Sequence, residues 1–176
     1  LRTHIDIRKA EGDLARGFSA PEIPVPLAGR ASGDFRVLQT PSSQAVSGEF
    51  KSTEVRGYGQ TATNVAGRLE WKDGTLSFPK IGLDVYGGRL QGRGLYGTTT
   101  RAFDADLRAQ NVNLSLLSPR VGGLLAFELA GQGTFGKDRL AGRFSVKGFL
   151  LPPIQATQAA GDVSLVYAAD DVAFDV

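Results

Sequence analysis

Apolar residues recur at alternate positions along much of the chain, most clearly between Gly74 and Pro119. Leu76 and Phe78, then Ile81, Leu83 and Val85, then Leu90, then Phe103, Ala105, Leu107 and Ala109 keep a period of two. Successive side chains of a strand point to opposite faces, so this spacing predicts β-strands. Lys, Arg, Gln and Asp fill many intervening positions, which suits an antiparallel sheet with one apolar and one solvated face. Asp73-Gly74, Tyr86-Gly87-Gly88 and Gly97 to Arg101 interrupt the pattern and predict turns.

The same alternation extends in both directions. Residues 1–9 read as a strand, with Leu1, Thr3, Ile5 and Ile7 on one face, and Glu11-Gly12-Asp13 as a turn. Pro21, Pro24 and Pro26 make Ser19 to Ala31 an edge or an extended loop, because proline cannot donate to a ladder. Phe35 and Val37 alternate, then Val46, Gly48 and Phe50, then Val55 and Gly57, then the long run Thr63, Val65, Gly67, Leu69 and Trp71. Beyond the central stretch, Leu125 to Phe135, Leu140 to Gly148, Val163 to Tyr167 and Val172 to Val176 read as strands, with Pro152-Pro153 as an interruption. One helical turn is expected at Asn113 to Pro119, where Leu114 and Leu117 sit three apart. Many strands at near-regular spacing predict an all-β protein with little or no helix.

A repeat underlies the pattern. Leu90-Gln-Gly-Arg-Gly-Leu-Tyr-Gly97 matches Leu129-Ala-Gly-Gln-Gly-Thr-Phe-Gly136, and the alternating runs from Phe103 and from Leu140 match in turn. A unit recurring at this period predicts a quasi-linear architecture. The 23 glycines, about twice what a usual share of about 7% would give, fall inside these apolar runs. Glycines repeated on the apolar face would either let the sheet curl over that face or lie beneath a neighbouring aromatic.

The chain begins at Leu1 and stops in mid-alternation at Val176, so it reads as one segment, 1–176, of a longer repetitive polypeptide, with any targeting signal or membrane anchor elsewhere. There is no Cys, which excludes disulfides and thiolate metal sites. Twenty bases stand against 18 acids, scattered singly along the strands, so nucleic acid is not an expected partner.

Candidate chemistry is sparse. Gly92-x-Gly94-x-x-Gly97 and Gly131-x-Gly133-x-x-Gly136 fit the dinucleotide fingerprint, but that site needs a helix N-terminus after the glycines. Strand residues flank both triplets, so the motif reads as architectural. His4 is the single histidine and falls on a polar face, which leaves neither a metal set nor a serine triad. Asp104 and Asp106 sit on a solvent face beside Arg108, without the pocket an acid-base dyad needs. Arg89, Arg93, Arg108 and Arg143 read as solvating residues and Trp71 as a packing anchor. Neither a cofactor nor enzymatic activity is expected.

The stretch Asp73-Gly74, Tyr86-Gly87-Gly88-Arg89-Leu90-x-Gly92-x-Gly94 and Ala109-x-x-Val112-x-Leu114-x-x-Leu117 resembles the TamB/AsmA-like family, the inner-membrane subunits of the translocation and assembly module. The resemblance implies a β-taco: a curled, antiparallel-rich sheet forming an open half-pipe with an apolar interior. It further implies a periplasmic segment, anchored in the inner membrane from outside residues 1–176. Its partners would be phospholipid acyl chains and an outer-membrane barrel protein, and its role phospholipid transport and outer-membrane protein assembly. On this reading the groove is lined by Leu76, Phe78, Leu83, Val85, Leu90, Phe103, Leu107, Leu125, Phe127, Leu129, Leu140, Phe144 and Val146. A rival expectation is a structural β-solenoid scaffold or chaperone that pairs unfolded outer-membrane strands along its edge.

Overall fold

Two sharp turns carry the clearest local signal. Asp73 and Gly74 both take positive φ (47° and 81°), as do Tyr86 and Gly87 (49° and 72°). Positive φ at both central residues is the type I′ geometry whose twist matches a two-residue hairpin. Asp73 also ties its turn to the next one: Ser43 Oγ and the Gln44 amide donate to its carboxylate at 3.0 and 3.2 Å.

The computed structural model describes residues 3–13, 27–57, 59–134, 137–168 and 171–175, with side chains over 28–57, 59–134 and 137–164. The strands are β1 (Thr3–Asp13), β2 (Leu27–Thr40), β3 (Ser43–Gly57), β4 (Gln60–Lys72), β5 (Thr75–Val85), β6 (Gly88–Gly97), β7 (Ala102–Asn113), β8 (Gly122–Thr134), β9 (Arg139–Leu151), β10 (Ile154–Ala168) and β11 (Asp171–Asp175). A single turn of helix, α1 (Leu114–Leu117), separates β7 from β8. The fold is thus all-β with essentially no helix. The strands form one sheet in chain order, each antiparallel to its neighbours. Every described strand belongs to this one sheet, and no large side chain among the described residues is fully buried.

Two expectations are corrected. Glu11, Gly12 and Asp13 continue β1 and pair with Ser32, Ala31 and Arg30, so they do not form a turn. Leu27 to Ala31 belongs to β2 and not to a loop; a register shift between Gly29 and Ser32 absorbs the broken alternation there. The prolines at 21, 24 and 26, and the reading of Phe135 and Gly136, fall outside the described residues. The repeat maps onto two successive hairpins, β6–β7 and β8–β9, with different registers. Leu90 faces Ala109, whereas its counterpart Leu129 faces Gly142, four residues short of the equivalent Val146.

Breaks in alternation coincide with bulges. The slip from Phe78 to Ile81 is a register shift against β6, and it houses Pro79, which a regular ladder would exclude. Asn111, at φ 57°, occupies the shift between Ala109 and Val112. Asn64, at φ 50°, does the same between Thr63 and Ala66.

The glycines of the apolar face lie beneath large neighbours. A Cβ at Gly67 would come within 3.0 Å of the Phe50 ring, one at Gly92 within 2.8 Å of Leu107, one at Gly131 within 3.1 Å of Leu140, and one at Gly161 within 3.0 Å of Phe144. Phe50 of β3 reaches Phe78 of β5 across the intervening strand, ring edge to face with centroids 6.2 Å apart, above the gap that Gly67 leaves. Such a ring pair contributes about 0.5–1.5 kcal/mol beyond area burial.

A methyl group tests this packing. At Gly142 it would strike the Glu128 carbonyl oxygen and lie 2.9 Å from Leu129 Cα, whereas at Gly94 its nearest neighbour is 3.9 Å away. Gly142→Ala is expected to cost about 1–3 kcal/mol in urea unfolding, the usual range for overpacking. Gly94→Ala should stay within about 0.5 kcal/mol.

Candidate apolar face and its charged reverse

Directly paired residues of an antiparallel ladder project to the same side, so the registers assign the faces. Leu83, Leu90, Ala109, Phe127, Phe144 and Gly161 form one unbroken row across β5 to β10. A parallel row runs through Gly33, Phe50, Gly67, Ile81, Gly92, Leu107, Leu129, Gly142 and Val163. Trp71, Leu76, Tyr96 and Phe103 make a third, and Val112, Leu125 and Val146 a fourth.

All thirteen residues expected to line a groove fall on this one face. Twelve are half-buried and Val146 is buried at 4% exposure. Sequence reading left out Trp71, Ile81 and Phe50, which share the same rows; the alternation of Phe50 and Trp71 lay outside the motif-bearing stretch, and Ile81 lay inside it, directly after the slip at Pro79. No large side chain is fully buried among the described residues. Burial on this face therefore comes from lateral contact between neighbours, and the outward surface stays apolar.

The reverse face is charged. Arg89 donates to its ladder partner Asp84 at 2.7 Å, Arg93 approaches Asp104 at 3.3 Å and Asp106 at 4.0 Å, and Arg108 lies between Asp106 and Glu128 at 3.8 and 3.9 Å. These pairs are solvent-exposed and individually contribute about 0–1 kcal/mol. A groove of about 820 Å³ lies on this side, with Lys51, Arg68, Lys80, Arg89, Arg93 and Arg108 against Asp34, Glu49 and Asp106 along its walls. None of the thirteen apolar residues lines it. Asp104 and Asp106, weighed above as a dyad, are ion-paired surface carboxylates on this face. Among the described residues no three His, Asp or Glu side chains converge as metal ligands, and no helix is long and apolar enough to cross a membrane. Gly92 and Gly94 lie within β6 and lead to β7, so no helix N-terminus follows them.

Asp84 is held below the usual carboxylate range, first by the Asn64 amide at 2.8 Å and then by Arg89. A depressed folded pKa means the contribution is present above the unfolded value and is lost as pH falls toward the folded one. In an NMR titration Asp84 should protonate at lower pH than an unfolded-chain Asp, and Asn64→Ala should raise its midpoint.

No family model matches the chain, and no curated protein or solved structure matches it either. Asp73-Gly74, Tyr86 to Gly94 and Ala109 to Leu117 form the β4–β5 turn, the β5–β6 turn with most of β6, and the end of β7 with α1.

Proposed function

We propose that the apolar face is a lipid-bearing surface along which phospholipid acyl chains lie while headgroups stay in water. The observation that carries this reading is the four rows of apolar side chains on one side of a single sheet to which every described strand belongs. Soluble proteins rarely leave so continuous an apolar surface without a ligand or partner. Acyl chains suit it because they need area and not directional bonds, and each methylene removed from water contributes about 0.8 kcal/mol. The resemblance supplies the setting: a periplasmic segment of a protein anchored in the inner membrane, moving phospholipid toward the outer membrane in conjunction with a barrel partner.

Lipid extracted from the purified chain and identified by mass spectrometry tests the reading. Phospholipid should co-purify with the wild type. Phe127→Asp, near the middle of the row from Leu83 to Gly161, should deprive about three methylenes of contact, about 2.4 kcal/mol, and lower affinity about fiftyfold. Wild-type protein free of lipid, or undiminished lipid on the variant, would refute it.

A further inference from the structure

The two ends of the sheet differ in chemistry. At one end the turns are polar: Pro41-Ser42, Asp73-Gly74, Thr98 to Arg101 and Lys137-Asp138. At the other, the connections β7–β8 and β9–β10 and the strand ends beside them carry six of the seven large apolar residues that are exposed among the described ones: Leu116, Leu117, Leu124, Leu150, Leu151 and Ile154, with Leu116 at 61% and Ile154 at 56% exposure. Hairpin tips are ordinarily polar because water reaches them from all sides, so six leucine and isoleucine side chains gathered there need an account.

The display is fixed in place. Asn113 Oδ1 accepts from the Ser115 amide and hydroxyl at 3.0 and 2.7 Å, capping α1. The Asn113 amide donates to the Tyr86 carbonyl at 2.9 Å, which ties this connection to the neighbouring β5–β6 turn. Val112 and Leu114 are buried, Leu116 rests one methyl near Gly87 of the β5–β6 turn, and Leu116 and Leu117 stay 61% and 55% exposed. Leu150 packs on Gly122, and Leu151 faces Ile154 across the Pro152-Pro153 turn.

Charge is one-sided as well. Neither Leu107 to Phe127 nor Phe144 to Gly161 contains an Asp or Glu, while Arg120 and Lys147 are exposed beside the leucines, Lys147 in register with Leu124. The six side chains come from two connections and the strand ends beside them, and none of them lines the charged groove. A protruding apolar tip fits a soft, deformable partner better than a peptide needing a slot. Apolar side chains at the acyl boundary with bases at the level of the headgroups are the pattern of an interfacial anchor on anionic lipid.

We propose that this end of the sheet docks onto the surface of an anionic phospholipid bilayer, inserting Leu116, Leu117, Leu151 and Ile154, with Arg120 and Lys147 against the headgroups. This contact is separate from the acyl-bearing face: it places the end of the sheet at a membrane, where lipid could enter or leave.

The test is co-sedimentation of the purified chain with vesicles of phosphatidylglycerol and phosphatidylethanolamine. Binding should be strong on these, weak on pure phosphatidylcholine, and reduced by high salt. Leu117→Asp with Ile154→Asp should weaken it about tenfold or more, while Phe127→Asp, which removes the lipid-bearing row, should leave it intact. Because the chain has no Cys, a single environment-sensitive dye provides an independent reading. The dye at Ile154→Cys should shift to the blue on anionic vesicles, and the dye at Ser42→Cys, at the polar end, should not. No sedimentation of the wild type, equal binding by the double variant, or equal dye response at both ends would overturn the proposal. So would a wild-type dimer that the double variant dissolves without any vesicle binding, since the tip would then serve a second copy of the chain.

Discussion

Large apolar side chains lying on glycines of the neighbouring strand are the contact on which this sheet depends. Phe50 covers Gly67, Leu107 covers Gly92, Leu140 covers Gly131 and Phe144 covers Gly161. In each case a residue that would stand up from an ordinary sheet folds down onto its neighbour. The side chain loses most of its water-exposed surface in this way, and dispersion contacts with the strand backbone replace those a core would give. The cost is twofold: glycine weakens a strand through backbone entropy, and a methyl at most of these positions would collide with the adjacent chain. A sheet so built holds together laterally, strand by strand, and has no need of a lid.

This construction separates the two faces by function. Ladder register puts the apolar rows on one side, where the surface remains water-averse, and ion-paired residues on the other, where Asp84–Arg89 and Arg93–Asp104 link adjacent strands. The charged side also bears the 820 Å³ groove, with six bases against three acids along it. Polar contents suit that groove, and the acyl chains proposed above suit the opposite face. An apolar surface offered by a single layer gives up fewer internal contacts when lipid leaves than a closed pocket would, which suits a surface that loads and unloads. The leucine-bearing end adds a third environment, at the rim of the sheet.

Much of this was legible in the chain because period-two alternation survives wherever the ladder is regular. The turns at Asp73-Gly74 and Tyr86-Gly87, the strand character of both glycine triplets and the shared face of the apolar residues within each regular run follow from spacing alone. Even the slips are written there: the step from Phe78 to Ile81, with Pro79 between, marks a bulge. What spacing could not supply was pairing without alternation. Residues 154–162 are mostly small or polar, yet they form the first half of β10 because β9 offers them a backbone ladder. Glu11 to Asp13 resembles a turn in composition but is held as strand by β2. The charged groove and the apolar end draw residues from several strands and two connections, and no single stretch of sequence shows them. The fate of the glycines was likewise open: either a curl or an aromatic cover fitted the pattern, and coverage by Phe, and in places by Leu, is what the structure displays.

A photo-crosslinking scan along β8 addresses the central claim most directly. Benzoylphenylalanine is placed in turn at Leu125, Ala126, Phe127, Glu128, Leu129 and Ala130 of the full-length protein in cells, and adducts are read by mass spectrometry. Phospholipid adducts should alternate, appearing at Leu125, Phe127 and Leu129 and missing at Ala126, Glu128 and Ala130. Adducts confined to the charged-face positions, or no lipid adduct at any position, would contradict the account.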